Sequence, residues 1–153
     1  MMTEQEYEER EKIIAAYMNI FLCCDAHEWD KCRTTMVEEP LVDYSSLNGL
    51  PPAKIKATTL MENWKNFLPK FKATMHFCTN HVVHITKDTA TGFCYGHAIH
   101  YLPDAPGGDC WEVYGTYDFN LVKTPAGWKV ESVKYNLKYQ CGNKDLPAIA
   151  SKQ

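Results

Sequence analysis

The chain has 153 residues, a formal net charge of −3 and 45 % apolar residues, which fits one compact domain and excludes wholesale disorder. Sixteen basic against nineteen acidic residues leave no electrostatic footprint for a nucleic acid. No apolar run reaches the roughly 20 residues of a membrane span; the longest, Ile13–Cys24, is broken by Asn19 and follows an acidic segment, unlike a signal peptide or an anchor.

Tyr7, Ile13, Ile14, Tyr17, Ile20, Phe21 and Cys24 recur at three- and four-residue steps, so the spacing predicts an amphipathic helix over Glu4–Cys24 with Thr3 as its N-cap. A second helix is expected from Glu28 to about Met36, ended before Pro40, with a short strand at Leu41–Tyr44 and a loop over Ser45–Pro52. Leu60, Trp64, Phe67 and Leu68 mark a third helix, stopped by Pro69. Beyond Pro69 the period changes to two. Thr74–Thr86, Ala90–Leu102, Trp111–Lys123 and Trp128–Tyr139 read as four long strands whose short connections imply antiparallel hairpins. Helices first and strands afterwards give an α+β domain over residues 1–142, three N-terminal helices packed on a strongly curved, mostly antiparallel sheet that encloses a pocket. The polar residues 143–153 are expected to form a loose tail.

Nineteen aromatics and seven cysteines stand out. The cysteines are odd in number and contain no CxxC pair, which argues for free thiols in a reducing, cytoplasmic setting. Strand parity then selects pocket candidates. Cys94, Gly96, Ala98 and His100 share one face of their strand, and three small residues beside one histidine leave room for a ligand. Val113, Gly115, Tyr117 and Phe119 share a face of the next strand. Parity also sets His76 with Cys78 and His84, and His81 on the opposite face, so His81-x-x-His84 makes no metal site on a strand. Asp25, at the end of the first helix, is placed to reach His76 or His100, and a carboxylate on one imidazole nitrogen raises the basicity of the other. Tyr44 can offer a phenol to a carbonyl or an oxyanion.

The same residues carry a family likeness. The run Cys24-Asp25-Ala26-His27-Glu28-Trp29-Asp30-Lys31-Cys32-Arg33, then Asp43-Tyr44, Met75-His76-Phe77, His100 and Gly127-Trp128-Lys129, resembles scytalone dehydratase and its SnoaL-like relatives in order and spacing. That resemblance implies the cone of the nuclear transport factor two-like superfamily. It also implies active-site roles for Asp25, Tyr44, His76 and His100, and elimination of water from a cyclic hydroxy-ketone without metal or organic cofactor. Two departures alter the substrate contacts: Cys24 stands where the family has a tyrosine, and Gly115 and Tyr117 replace a small polar pair. Tyr117 is a candidate substitute for the missing phenol.

The reading is therefore a cofactor-independent lyase (dehydratase) or isomerase/cyclase acting on a hydrophobic cyclic, polycyclic or aromatic, hydroxy-ketone. In it Asp25 orients His100 as base, His76 carries the leaving group's proton, and Tyr44 steadies the enolate. Cys24, Cys94, Ala98, Val113, Gly115, Tyr117 and Phe119 are the expected substrate contacts. The rival is a cone that binds a ligand or assembles with copies of itself without chemistry. A hollow of at least about 300 Å³ is required by the enzyme reading. The outward Tyr95, His97, Ile99 and Tyr101 lead us to expect a homodimer or homotrimer. Substrate, reaction direction and the assignment of acid and base between the two histidines stay open.

Overall fold

The computed structural model describes residues 1–153. Helix α1 (Glu4–Ala26) begins at a capping box in which the Thr3 hydroxyl accepts from the Glu6 backbone while the Glu6 carboxylate accepts from Thr3. It ends at His27 in the left-handed conformation, φ 58°. Short α2 (Trp29–Thr34) follows, and strand β1 (Met36–Asp43) starts five residues earlier than the expected Leu41. Pro40 ends no helix. It sits inside β1, where it has no N–H for a ladder, and the register against the neighbouring strand slips between Met36 and Leu41.

Two further elements occupy the expected loop, a helical turn α3 (Ser45–Asn48) and strand β2 (Ala53–Lys54). Helix α4 (Ala57–Phe67) precedes the long meander β3 (Ala73–Thr86), β4 (Thr89–Tyr101), β5 (Cys110–Thr124) and β6 (Gly127–Gly142). The six strands lie in the order β2-β1-β6-β5-β4-β3. All pairs are antiparallel except β1 with β6. A fifth helix, α5 (Leu146–Ala150), closes the chain, so the architecture has five helices, not three.

The tail expected to be loose is docked. Leu146 and Ala150 are fully buried, and the Asn143 amide donates to the carbonyls of Pro106 and Gly108 at 2.9 and 2.8 Å. Gly142, at φ 78°, makes the turn that sends this segment back over the start of β5, and a Cβ there would collide with the Cys110 carbonyl.

Alternation holds along β4, whose Cys94, Gly96, Ala98 and His100 are buried while Tyr95 and Tyr101 face out. In β3 it breaks. The pairing with β4 skips between Thr79 and Val82, and Asn80 takes φ 58°. This bulge reverses the parity of the residues beyond it. His81, expected opposite His76, turns to the inner face, where the Tyr17 hydroxyl lies 2.8 Å from its Nδ1. Tyr17 in turn stacks on Phe119 with ring centroids 4.4 Å apart, which fixes α1 against the middle of the sheet.

Candidate active site

Between α1, α4, α5 and the inner faces of β4–β6 lies a hollow of about 570 Å³, well inside the size range of small-molecule sites. Asp25, in the last turn of α1, is set opposite the start of β3. Its Oδ1 accepts from the Thr74 hydroxyl, and its Oδ2 from the backbone N–H of His76, each at 2.8 Å. The imidazole Nδ1 of His76 lies 2.8 Å from Oδ1. Burial alone would raise the Asp25 carboxyl, but the ring and backbone of His76 and the Thr74 hydroxyl hold it below the ordinary carboxylate value. An ionised carboxylate can only accept, so His76 donates from Nδ1, and in the neutral ring the lone pair lies on Nε2. Phe21 stacks on the ring at 5.2 Å and restrains its tilt.

This is a correction to the expected pairing: Asp25 orients His76, and no hydrogen bond links it to His100. His100 sits deeper, 5 % exposed, packed between Phe71 and Trp111 at centroid distances of 5.0 and 4.4 Å. Its Nδ1 lies 3.3 Å from the Trp111 carbonyl, an acceptor, so this nitrogen bears the proton and Nε2 is again the free one. Burial, then the neighbouring His76, lower its pKa to about 4. His100 is thus a neutral acceptor at neutral pH. The two rings meet edge-on, centroids 6.4 Å apart.

The depressed pKa has a measurable consequence. The unfolded chain takes up the His100 proton near pH 6.5, whereas the folded one resists until about pH 4. Stability is complete above that window and falls as pH drops through it, by about 3 kcal/mol. Urea unfolding at pH 7 and pH 4.5 should show most of this loss, and His100→Phe should flatten it. A slope unchanged in the variant would refute the assignment.

Tyr44 and Tyr117 also line the hollow, Tyr117 against the Phe21 ring that stacks on His76. Burial raises both above the ordinary tyrosine value, with Cys24 and Tyr135 adding to the effect at Tyr44, so both hydroxyls remain donors. Cys24, Ala98, Val113 and Tyr117 line the hollow as expected; Cys94, Gly115 and Phe119 do not. The cause is local. The space read at the small residues is taken by rings from neighbouring strands: a Cβ on Gly96 would overlap Tyr117, and one on Gly115 would overlap Tyr135 and the Asn136 carbonyl. Tyr135 reaches across Gly115 to donate to the Gly96 carbonyl at 3.3 Å. Cys94 lies sealed beneath this layer, fully buried, and Phe119 belongs to the Tyr17 stack.

Sequence reasoning missed Trp111, Gln140, Lys144 and Pro147 on the wall. Trp111 was within reach, because it pairs with His100 and shares the inward parity of Val113. Lys144 and Pro147 lie in the segment read as a tail and have no periodicity to betray them. No group of three or more His, Cys, Asp or Glu side chains converges as a metal site, and no helix is long and apolar enough to cross a membrane.

The profile of the SnoaL-like domain matches residues 5–134. Among solved structures, the Kfla4162 protein from Kribbella flavida is 30 % identical over 94 % of this chain and 97 % of its own, with a TM-score of 0.86. A provisionally assigned scytalone dehydratase from Novosphingobium aromaticivorans is 18 % identical, with 93 % and 92 % covered and a TM-score of 0.79. A type 2 hexachlorocyclohexane dehydrochlorinase is 16 % identical, with 90 % of each chain covered and a TM-score of 0.72. These last two likenesses concern the fold. No curated protein sequence matches the chain.

Proposed function

The chain belongs to the SnoaL-like domain family, and from that membership and the Asp25–His76 pair we propose that it is a cofactor-independent lyase that eliminates water from a hydrophobic cyclic hydroxy-ketone. The observation that carries the proposal is the 2.8 Å contact between Asp25 and His76 Nδ1, which leaves Nε2 of His76 as a base on the wall of an apolar hollow.

In this mechanism His76 Nε2 removes the proton next to the substrate carbonyl, and Asp25 stabilises the imidazolium that forms. Negative charge moves to the carbonyl oxygen, where the protonated phenols of Tyr44 and Tyr117 donate to it. The enolate then expels the hydroxyl at the β-carbon. His76 returns its proton to that leaving oxygen, so water departs and the enzyme is regenerated. His100, neutral with a free Nε2, accepts from the substrate hydroxyl and orients it, a positioning part in place of the base role expected from sequence.

The test is a turnover assay with a bicyclic β-hydroxy-ketone whose dehydration product aromatises to a naphthol, followed by ultraviolet absorbance. We expect formation above the buffer rate that tracks the purified protein. A buffer-level rate with this and related ring ketones would favour the non-catalytic binding module.

We also propose that the outer face of the sheet is covered by further copies of the chain, as a dimer or trimer. Phe77, His97, Tyr114 and Tyr139 form a stacked row across β3–β6, with His97–Tyr114 centroids 4.0 Å apart and Tyr114–Tyr139 4.5 Å apart. Phe77 and Tyr139 are about half exposed, and such a face is normally covered. Light scattering coupled to size exclusion should give two or three times 17.6 kDa; the monomer mass at micromolar concentration would refute it.

A further inference from the structure

The polar groups of the hollow that lie away from the histidines are unequally divided between donors and acceptors. Asn48 lines it, but its Oδ1 is already held by the Leu50 backbone N–H at 2.9 Å. Gln140 lines it too, and its Oε1 accepts from the Trp111 indole N–H at 2.8 Å. An indole or backbone N–H can only donate, so these contacts fix which amide atom is the oxygen and leave each NH₂ group free to donate elsewhere. Lys144, an exposed residue, also borders the hollow and forms no ion pair with any carboxylate of the chain.

The backbone on either side of Lys144 is fixed, and its side chain is exposed. On one side Asn143 donates its backbone N–H to the Cys110 carbonyl at 2.7 Å and its amide to Pro106 and Gly108; on the other Leu146 is fully buried. No Asp or Glu lines the hollow. A ligand that extends from the histidines toward Lys144 therefore meets a cation with no competing carboxylate.

We infer that the natural ligand is an acid: an apolar ring system bearing a carboxylate that Lys144 receives at the mouth of the hollow, while the reacting end lies at His76 and His100. The inference rests on the small-molecule reading of the hollow and narrows the substrate class to carboxylated ring ketones. It makes Lys144 a specificity residue with no part in proton transfer.

The test uses binding, not turnover. Naphthoate and its neutral counterpart naphthamide, substituted at the same ring position, are titrated calorimetrically into the full-length protein at low salt. We expect wild type to favour naphthoate by about fivefold, the scale of a solvent-accessible ion pair. Lys144→Met should abolish the preference, and added salt should weaken naphthoate alone. Equal affinities in wild type, or a preference that survives Lys144→Met, would overturn the inference while leaving the elimination chemistry standing. Failure of both probes to bind would overturn it together with the small-molecule reading.

Discussion

His76→Gln should lower kcat/KM for elimination by about 10²–10⁴, the range for removal of one positioned general base. Glutamine can still donate from its amide to Asp25, so the carboxylate keeps a partner and the fold is not the variable. What is lost is the Nε2 lone pair and with it the acceptor for the substrate proton. Asp25→Asn should fall in the same direction through another route: the imidazolium formed in the reaction loses its counter-charge, and the Nδ1–H tautomer loses the ionised acceptor that selects it. Asparagine keeps one carbonyl oxygen, so either Thr74 and the His76 ring or the His76 backbone N–H loses its acceptor, and some positional disorder of α1 should accompany it. His100→Phe, by contrast, should raise KM more than it lowers kcat, because His100 is assigned to orientation. If His100→Phe matched His76→Gln in kcat, the base assignment would have to be exchanged.

Phe119→Ala should destabilise the fold by about 3–5 kcal/mol, the cost typical of removing a buried aromatic from a close-packed core. Phe119 is 2 % exposed and stacks on Tyr17 at 4.4 Å, with Phe21 and Tyr117 at 6.3 and 5.7 Å. It therefore joins α1, which delivers Asp25, to the strand that delivers Tyr117. Denaturant unfolding gives the stability change, and because the seam sets the approach of α1 to β3, His76-dependent turnover should fall with it. A loss under 1 kcal/mol would mean that the stack does not hold α1 to the sheet.

Much of this arrangement is visible in the residues. The three- and four-residue steps of Ile13, Tyr17, Ile20 and Phe21 lead to α1 because burial of one helical face is what they can do, and all four are buried. Parity in β4 identifies His100 as inward. Four things escape such reasoning. The Asn80 bulge changes parity within a strand; asparagine tolerates the left-handed conformation better than its neighbours, but nothing in Thr79-Asn80-His81 announces that a bulge occurs there. The glycines of β4 and β5 read as vacancies but are sites where Tyr117 and Tyr135 fold over the neighbouring backbone, a contact between distant positions. The last residues lack a period, and their order comes from Asn143 satisfying carbonyls 35 and 37 positions earlier. The pairing of Asp25 with His76 over His100 is of this tertiary kind, since it depends on where the last turn of α1 stops against β3.

The central claim is that His76, held by Asp25, removes a proton next to a carbonyl in this hollow. A bicyclic ketone lacking the leaving hydroxyl isolates that step, because its α-hydrogens can exchange but nothing can be eliminated. In heavy water, proton NMR of such a ketone should show α-deuteration catalysed by wild type, and by His100→Phe once the ketone is saturating. His76→Gln and Asp25→Asn should fall to the buffer rate or close to it. Exchange that persists undiminished in His76→Gln, or that is absent in wild type while the ketone binds, would contradict the account.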